Sequence, residues 1–483
     1  MVFSSLIFLF LFLPIVLLGN FLIKKTIWRN AFLLLASLFF YAWGELSFLW
    51  VMLVSIVANY FFAIAVDDLR ETRWAKLALA LAVIANLGLL AFFKYIGFIE
   101  TNLNSLLAFL HLHSVRVHHV TLPLGISFFT FHSLSYVIDV YRKQAIAQRN
   151  PINLALYISL FPQLVAGPII RYHDVCDQLT DRTVNLDKFA EGVRRFVCGL
   201  GKKMLIANVV AGPVDQIFGL PSQELTAGLA WLGAICYTLQ IYFDFSGYSD
   251  MAIGLGLMFG FRFLENFNFP YISQSIREFW QRWHISLSNW FRDYLYIPLG
   301  GNRVSSFRVT FNLLTVFFLC GLWHGASWNF IAWGLYHGSF LGLERSGLGT
   351  WLNTIPRFFR HFYTLMVVII GWVLFRADTL TKGVHYLAVM FGFAHGGTGY
   401  YTVPMILNRE VAFVIALGII GSTPLIKNIL FNADREKMGF LKRDWSAPRV
   451  AATARIAFVA LVMSLSIMEM ASGTYNPFIY FRF

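Results

Sequence analysis

The sequence predicts an all-α, polytopic integral membrane protein of roughly ten to twelve transmembrane helices, with re-entrant and interfacial helices among them. Three observations lead there. Of 483 residues, 58% are hydrophobic and 13% charged, with a mean hydropathy of +0.64, whereas soluble domains carry about a quarter charged residues. Apolar runs of the roughly 20 residues needed to cross about 30 Å of hydrocarbon recur from one end to the other. Several runs contain prolines, glycines or single charges, and irregular backbone at membrane depth persists only where it is buried in protein or lines a cavity. Residues 1–483 therefore read as a single membrane domain, with the chemistry-bearing motifs between about 123 and 346.

The opening MVFSSLIFLFLFLPIVLLGNFLIKK lacks a basic stretch before its apolar run and shows no small-residue cleavage site, so it reads as a retained first span. Lys24, Lys25 and Arg29 follow it, which makes that loop cytoplasmic and puts the N-terminus outside. NAFLLLASLFFYAW and SFLWVMLVSIVANYFFAIAV then make an outward and a return pass, landing on Arg70, Arg73 and Lys76. A fourth span reaches residue 99, and residues 102–119 read as an amphipathic loop.

Residues 123–142, with Pro123, Gly125 and scattered hydroxyls, are expected to line a cavity, as is LFPQLVAGPIIRY at 160–172. In the run at 241–261, Asp244 and Asp250 should face the protein interior, because a charge at the bilayer centre costs about 3 kcal/mol. Six residues apart on a helix is about 240° net, so the two aspartates are expected to play separate roles, each open to a paired structural reading. Residues 275–303 are too charged to span; Arg277, Arg282 and Arg292 alternate with Trp280, Trp283 and Trp290, as in a buried or interfacial helix. Further spans are expected near 308–320, 322–343, 358–375, 379–394, 410–430 and 452–471, with a cytoplasmic polar loop at 433–449.

The net charge of +13, from 38 Lys and Arg against 25 Asp and Glu, is scattered over short loops. That excludes the single basic stripe of a nucleic-acid binder and suits loops beside anionic lipid. Cys176, Cys198, Cys236 and Cys320 have no metal-type spacing, so neither disulfide nor zinc is expected.

Twelve histidines remain to be placed. His111, His113, His118 and His119 share a loop with no carboxylate or cysteine beside them, and no metal is expected there. His173, His361, His385 and His395 read as loop or span-end residues, and His132 as cavity-lining or packing. His284, His324 and His337 stand out. On one regular helix, thirteen residues rotate by about 220° net and rise about 20 Å, so His324 and His337 are not expected to share a site. His324 stands between Trp323 and Gly325, where a glycine admits close approach of a ligand or backbone. A buried imidazole stays neutral at little cost and can take a proton from a hydroxyl, so His324 is the leading candidate for a general base, and His284 is second.

With these residues in hand, the chain resembles the membrane-bound O-acyltransferases, in the bacterial branch that O-acetylates alginate. The resemblance runs the length of the chain and is densest in PLGISFFTFHSLSYVIDVYR, FPQLVAGPIIRY, YFDFSGYSDMAIGLGLMFGFRFLENFNFPY, EFWQRWHISLSNWFRDYLYIPLGGNR and LWHGASWNFIAWGLYHG. It implies helices arranged around a central tunnel, with a donor entering from the cytoplasm and an acceptor from the other side. His324 matches the family's near-invariant histidine, and His284 its second polar catalytic position.

It also implies acetyl transfer from a cytosolic thioester, with acetyl-CoA, or an acyl carrier, as donor substrate and no other cofactor. The acetyl group would pass to an extracytoplasmic partner acetyltransferase at a bacterial inner membrane. Alginate is the first expectation for the polymer, with cellulose or peptidoglycan as alternatives. Arg142, Lys143, Arg171 and the arginines of 277–303 are candidate contacts for donor phosphates, each also open to a structural reading. Two other classes compete: a proton-coupled transporter using Asp244, Asp250 and His324, and a non-catalytic scaffold of an export complex.

Overall fold

The computed structural model describes residues 1–117, 120–394, 400–431, 448–473 and 478–479. Every regular element among them is helical. The first half contains α1 (Leu13–Leu22), α2 (Thr26–Glu45), α3 (Leu49–Asp68), α4 (Trp74–Phe109), α5 (Ile126–Tyr141), α6 (Pro151–Ser159), α7 (Phe161–Leu164), α8 (Tyr172–Thr180), α9 (Leu186–Gly201) and α10 (Asn208–Phe218). The second half begins with α11 (Ala227–Met258), α12 (Ile276–Arg282), α13 (Ile285–Phe291), α14 (Ser306–His324), α15 (Trp328–Leu343), α16 (Gly349–Leu352) and α17 (Arg357–Arg376), and five more helices follow, ending with Pro448–Ala471.

Among the described residues, six stretches are long and apolar enough to cross a membrane: Thr26–Asp68, Trp74–Phe109, Leu186–Phe218, Ser306–His324, Arg357–Arg376 and Thr453–Ala471. Exposed Leu35, Trp50 and Phe61 on α2 and α3 form surface that only lipid would favour.

The first of the six stretches is two passes, because the backbone breaks at Glu45 and a short 3₁₀ turn, Leu46–Phe48, separates α2 from α3. Contacts fix their sense. At the start of α2, Asn30 donates to Asn153 Oδ1 and to the Leu179 carbonyl, both at 2.7 Å. At the end of α3, Asp67 and Asp68 pair with Arg149 at 3.1 and 2.6 Å. Both ends therefore meet the 149–153 segment, on the side where the basic residues Arg70, Arg73 and Arg149 gather. The Glu45 turn lies on the opposite side, where Met1, Gly44 and Glu45 line one cavity.

The interior is built on α11, which is buried along almost its whole length. Helix α9 lies against it through two pairs of glycines: a Cβ on Gly192 would come within 2.6 Å of the Gly254 carbonyl, and one on Gly199 within 2.6 Å of the Gly247 carbonyl. Small residues at such contacts let helices approach where lipid supplies no hydrophobic drive. Asp250 is paired with Arg195 at 2.9 Å and Lys202 at 2.6 Å, and Asp244 with Lys203 at 2.6 Å. Both aspartates face protein, with separate partners, as the spacing requires.

Three expectations need correction. Residues 102–109 are not loop: α4 continues to Phe109, about 54 Å in all, before the chain folds back so that Asn104 Oδ1 accepts from Val115 N at 2.8 Å. The 275–303 segment is not one helix but the pair α12 and α13 with a left-handed residue between them, and its tryptophans are buried in protein, where they pack against aromatic neighbours. The third correction concerns His324 and His337. They do not lie on one helix, because the chain reverses at Gly325–Ser327 and α15 returns along α14. The 433–447 part of the polar loop, His118, His119 and His395 lie outside the described residues.

Candidate active site

Helix α14 ends inside the protein at His324, and Gly325 takes an extended conformation (φ −163°, ψ 150°). The return of α15 brings Gly334 against α14 so tightly that a Cβ there would lie 2.2 Å from the Phe317 carbonyl; Gly321 meets the Phe330 carbonyl at 2.3 Å in the same way. Gly334, Gly338 and Gly342 recur every fourth residue on this contact face. The His324 ring is 6% exposed and stands edge-on to Trp333 and Phe375, each with ring centroids 5.2 Å away.

An α-helix end leaves four carbonyls without helical donors. Here each finds one. Gly321 O accepts from Gly325 N at 3.2 Å, and Leu322 O from the Tyr95 hydroxyl at 2.8 Å. The Lys94 ammonium donates to the Trp323 carbonyl, to the His324 carbonyl at 3.1 Å and to Ser127 Oγ at 3.4 Å. Sequence reasoning missed Lys94. Its signal is that it continues the buried stripe Ala82, Asn86, Leu90 of α4 at four-residue spacing, where another apolar residue belongs.

His284 sits between α12 and α13 with φ 43° and ψ 53°, fully buried. A left-handed backbone costs a non-glycine residue about 1–2 kcal/mol, so the surroundings must hold it there. Asn266 does so. Its Oδ1 accepts from Ser286 N at 3.1 Å and Ser286 Oγ at 2.9 Å, and stands 3.1 Å from His284 Nδ1. Its Nδ2 donates to Ser249 Oγ on α11 at 3.0 Å, and its own carbonyl accepts from Ile285 N at 2.9 Å. Because Asn266 Oδ1 can only accept, His284 Nδ1 carries the proton, leaving the Nε2 lone pair without a hydrogen-bond partner among the described residues. Sequence reasoning does not reach Asn266: nothing local in ENFNFPY marks which asparagine in a loop will contact a histidine 18 residues on.

The two imidazoles flank one indole. The ring centroid of Trp323 is 6.2 Å from that of His284 and 5.0 Å from that of His324. Phe131, stacked on Trp290 at 3.7 Å, closes the next layer at 5.4 Å from Trp323. A cavity of about 570 Å³ reaches His324 from the side of the Glu45 turn, lined among others by Glu45, Lys94, Thr121, Ser127 and Trp323. Pro123–Phe128 form one of its walls, which is the cavity-lining expected of that segment; most of α5 beyond them is packed in protein. Its volume is that of a small-molecule site.

The other candidates lie elsewhere. His337 is buried between Trp280 and Trp333, each 5.2 Å away, and Trp333 separates it from His324. His132 is buried beside Tyr157, and its Nε2 accepts from Ile170 N at 3.4 Å, a packing role. Arg171 pairs with Asp174 at 2.8 Å and with Asp293; Arg142 donates to the Asp293 carbonyl at 2.9 Å; Arg282 and Arg292 pair with Glu278 and Asp293. These cations make structural contacts. His173 Nδ1 lies 2.9 Å from the buried Asp139, whose other oxygen accepts from the Tyr294 hydroxyl at 2.6 Å. Those carboxylates raise the His173 pKa, the Asp139 hydrogen bond most of all.

A sequence model of the membrane-bound O-acyltransferase family matches residues 35–381. A protein of Pseudomonas putida named "Probable alginate O-acetylase AlgI" is 44% identical over 100% of both chains, and one of the same name from Azotobacter vinelandii is 42% identical over 100% of both. A "Peptidoglycan O-acetyltransferase" of Helicobacter pylori is 39% identical over 81% of this chain and 80% of its own. The helical membrane fold, the histidine that ends α14 at a cavity floor and these matches point one way: the chain belongs to the membrane-bound O-acyltransferase family and is an acyltransferase.

Proposed function

We propose that this protein takes acetyl groups from a cytosolic thioester, acetyl-CoA, and hands them across a bacterial inner membrane to an extracytoplasmic acetyltransferase partner that modifies an exopolysaccharide. The observation that carries this reading is His324 on the lining of the cavity, one indole away from a second histidine whose Nε2 accepts no hydrogen bond from the described residues. In this reading His324 takes the proton of an acceptor hydroxyl as its oxygen attacks the acetyl carbonyl. The C–S bond then breaks, and the departing thiolate receives that proton. General-base help of this kind is worth about 10²- to 10⁴-fold. His284, held by Asn266 with its proton on Nδ1, orients the reacting hydroxyl through Nε2. No cofactor beyond the thioester is required.

For the polymer, alginate is favoured because the relatives named for it align from end to end. Peptidoglycan is the second reading, supported by the Helicobacter pylori relative. The transporter reading loses its carboxylates: Asp244 and Asp250 are each held by their own cations on the α9 side, away from the cavity lining.

Labelled acetyl-CoA supplied to purified protein in vesicles, with the partner present, tests the proposal. Release of acetyl that depends on His324 is the expected result. Release that persists in His324→Ala, or none in the wild type, overturns it.

A further inference from the structure

We propose that Lys94 is a positioning residue for His324, an inference that rests on the acyl-transfer reading of that histidine. All three ammonium hydrogens have acceptors, and two of those are the last carbonyls of α14, on Trp323 and His324 themselves. The ammonium also lies 5.9 Å from the centroid of the Trp323 ring. A cation at a helix C-terminus meets both the unsatisfied carbonyls and the negative end of the helix dipole. Among the described residues, Lys94 forms no ion pair with a carboxylate and is, apart from His324, the one Lys, Arg or His lining the cavity.

The consequence is mechanical. Where α14 stops, water would normally satisfy the last carbonyls; here a side chain from α4, some 230 residues earlier, does so. The backbone that carries the imidazole is thereby tied to the wall of the cavity. Tyr95, the next residue, holds Leu322 in the same way. Without these donors the last turn of α14 would draw water or fray, and the ring at its end would lose its aim.

The test uses full-length protein in vesicles. Lys94→Met keeps the stem and removes donors and charge; it should lower kcat for acetyl transfer about tenfold or more, with donor KM within about twofold. Lys94→Cys should behave alike. Alkylation with 2-bromoethylamine, which restores an ammonium at nearly the same reach, should recover most of the loss, while the same treatment leaves the parent protein unchanged. Tyr95→Phe, which removes a single bond, should cost less. The second readout does not depend on catalysis: the rate at which diethyl pyrocarbonate modifies His324, read by peptide mass spectrometry. It should change about threefold or more in Lys94→Met and return on aminoethylation. If wild-type protein transfers no acetyl, the functional reading fails and this rate still decides the role of Lys94. An unchanged labelling rate, a wild-type kcat in Lys94→Met, or no recovery after complete aminoethylation would overturn the proposal.

Discussion

Asn266 Oδ1 stands 3.1 Å from His284 Nδ1 and thereby sets which ring nitrogen carries the proton. The same oxygen caps the first turn of α13, so the fold of the 284–286 turn and the tautomer of its histidine share one acceptor. Asn266→Ala is therefore expected to lower acetyl transfer by about 10- to 100-fold, the size seen when the partner orienting a functional imidazole is lost. His284→Ala should lower it at least as far. Turnover of labelled acetyl-CoA, compared at equal membrane expression, checks both.

His324→Ala should abolish acetylation of the polymer while membrane expression stays intact. His337→Ala should leave transfer within about tenfold of wild type and act on stability instead, costing about 2 kcal/mol for the cavity it leaves between Trp280 and Trp333. Thermal unfolding in detergent, set beside turnover, separates the two effects. A His337 variant as inactive as His324→Ala at full stability would contradict the assignment.

Asp244 and Lys203 form a buried ion pair at 2.6 Å, with side chains 2% and 5% exposed. Removing one partner leaves an uncompensated charge, so Asp244→Asn should destabilise the protein by about 3–5 kcal/mol. Replacing both, as Asp244→Leu with Lys203→Met, should recover much of that. A transporter would instead lose proton-linked flux in the single variant with little change in melting. Unfolding midpoints for Asp244→Leu, Lys203→Met and the double form the required cycle.

His173, at the start of α8, gives a pH dependence with a defined sign. Its folded-state pKa is raised above the ordinary 6.5, first by its hydrogen bond to Asp139 and then by the charges of Asp139 and Asp174. The folded form thus holds the proton more tightly than the unfolded chain. Its stabilising contribution is fully present below about pH 6.5 and is lost as the pH rises through the raised value. Protection from hydrogen exchange in residues 172–180, corrected for the intrinsic rise of amide exchange with pH, should fall over that interval. His173→Gln should remove the dependence.

Hydropathy and loop charge alone placed the α2–α3 pair, its basic end and the inward-facing Asp244 and Asp250, because transfer from water to lipid is a property each residue carries with it. The same holds for His324 as a candidate: an imidazole in an apolar run is conspicuous without any structure, whereas His284 lies in a charged segment and ranks behind it. What remained hidden is where helices stop. The sequence around residue 284 reads as one buried or interfacial helix; it is buried, yet it breaks there because Asn266, bonded to Ser249, competes for the backbone. The rotation argument that set His324 apart from His337 assumed a continuous helix. It failed because α14 can end within the protein once Lys94 and Tyr95 satisfy its carbonyls.

The sequence by itself therefore determined the solvent of this protein and which side chains are candidates for its chemistry. Only the tertiary structure decided which of those side chains meet. Burying a helix end requires donors for its carbonyls, and those donors come from residues far away along the chain, which no local pattern announces.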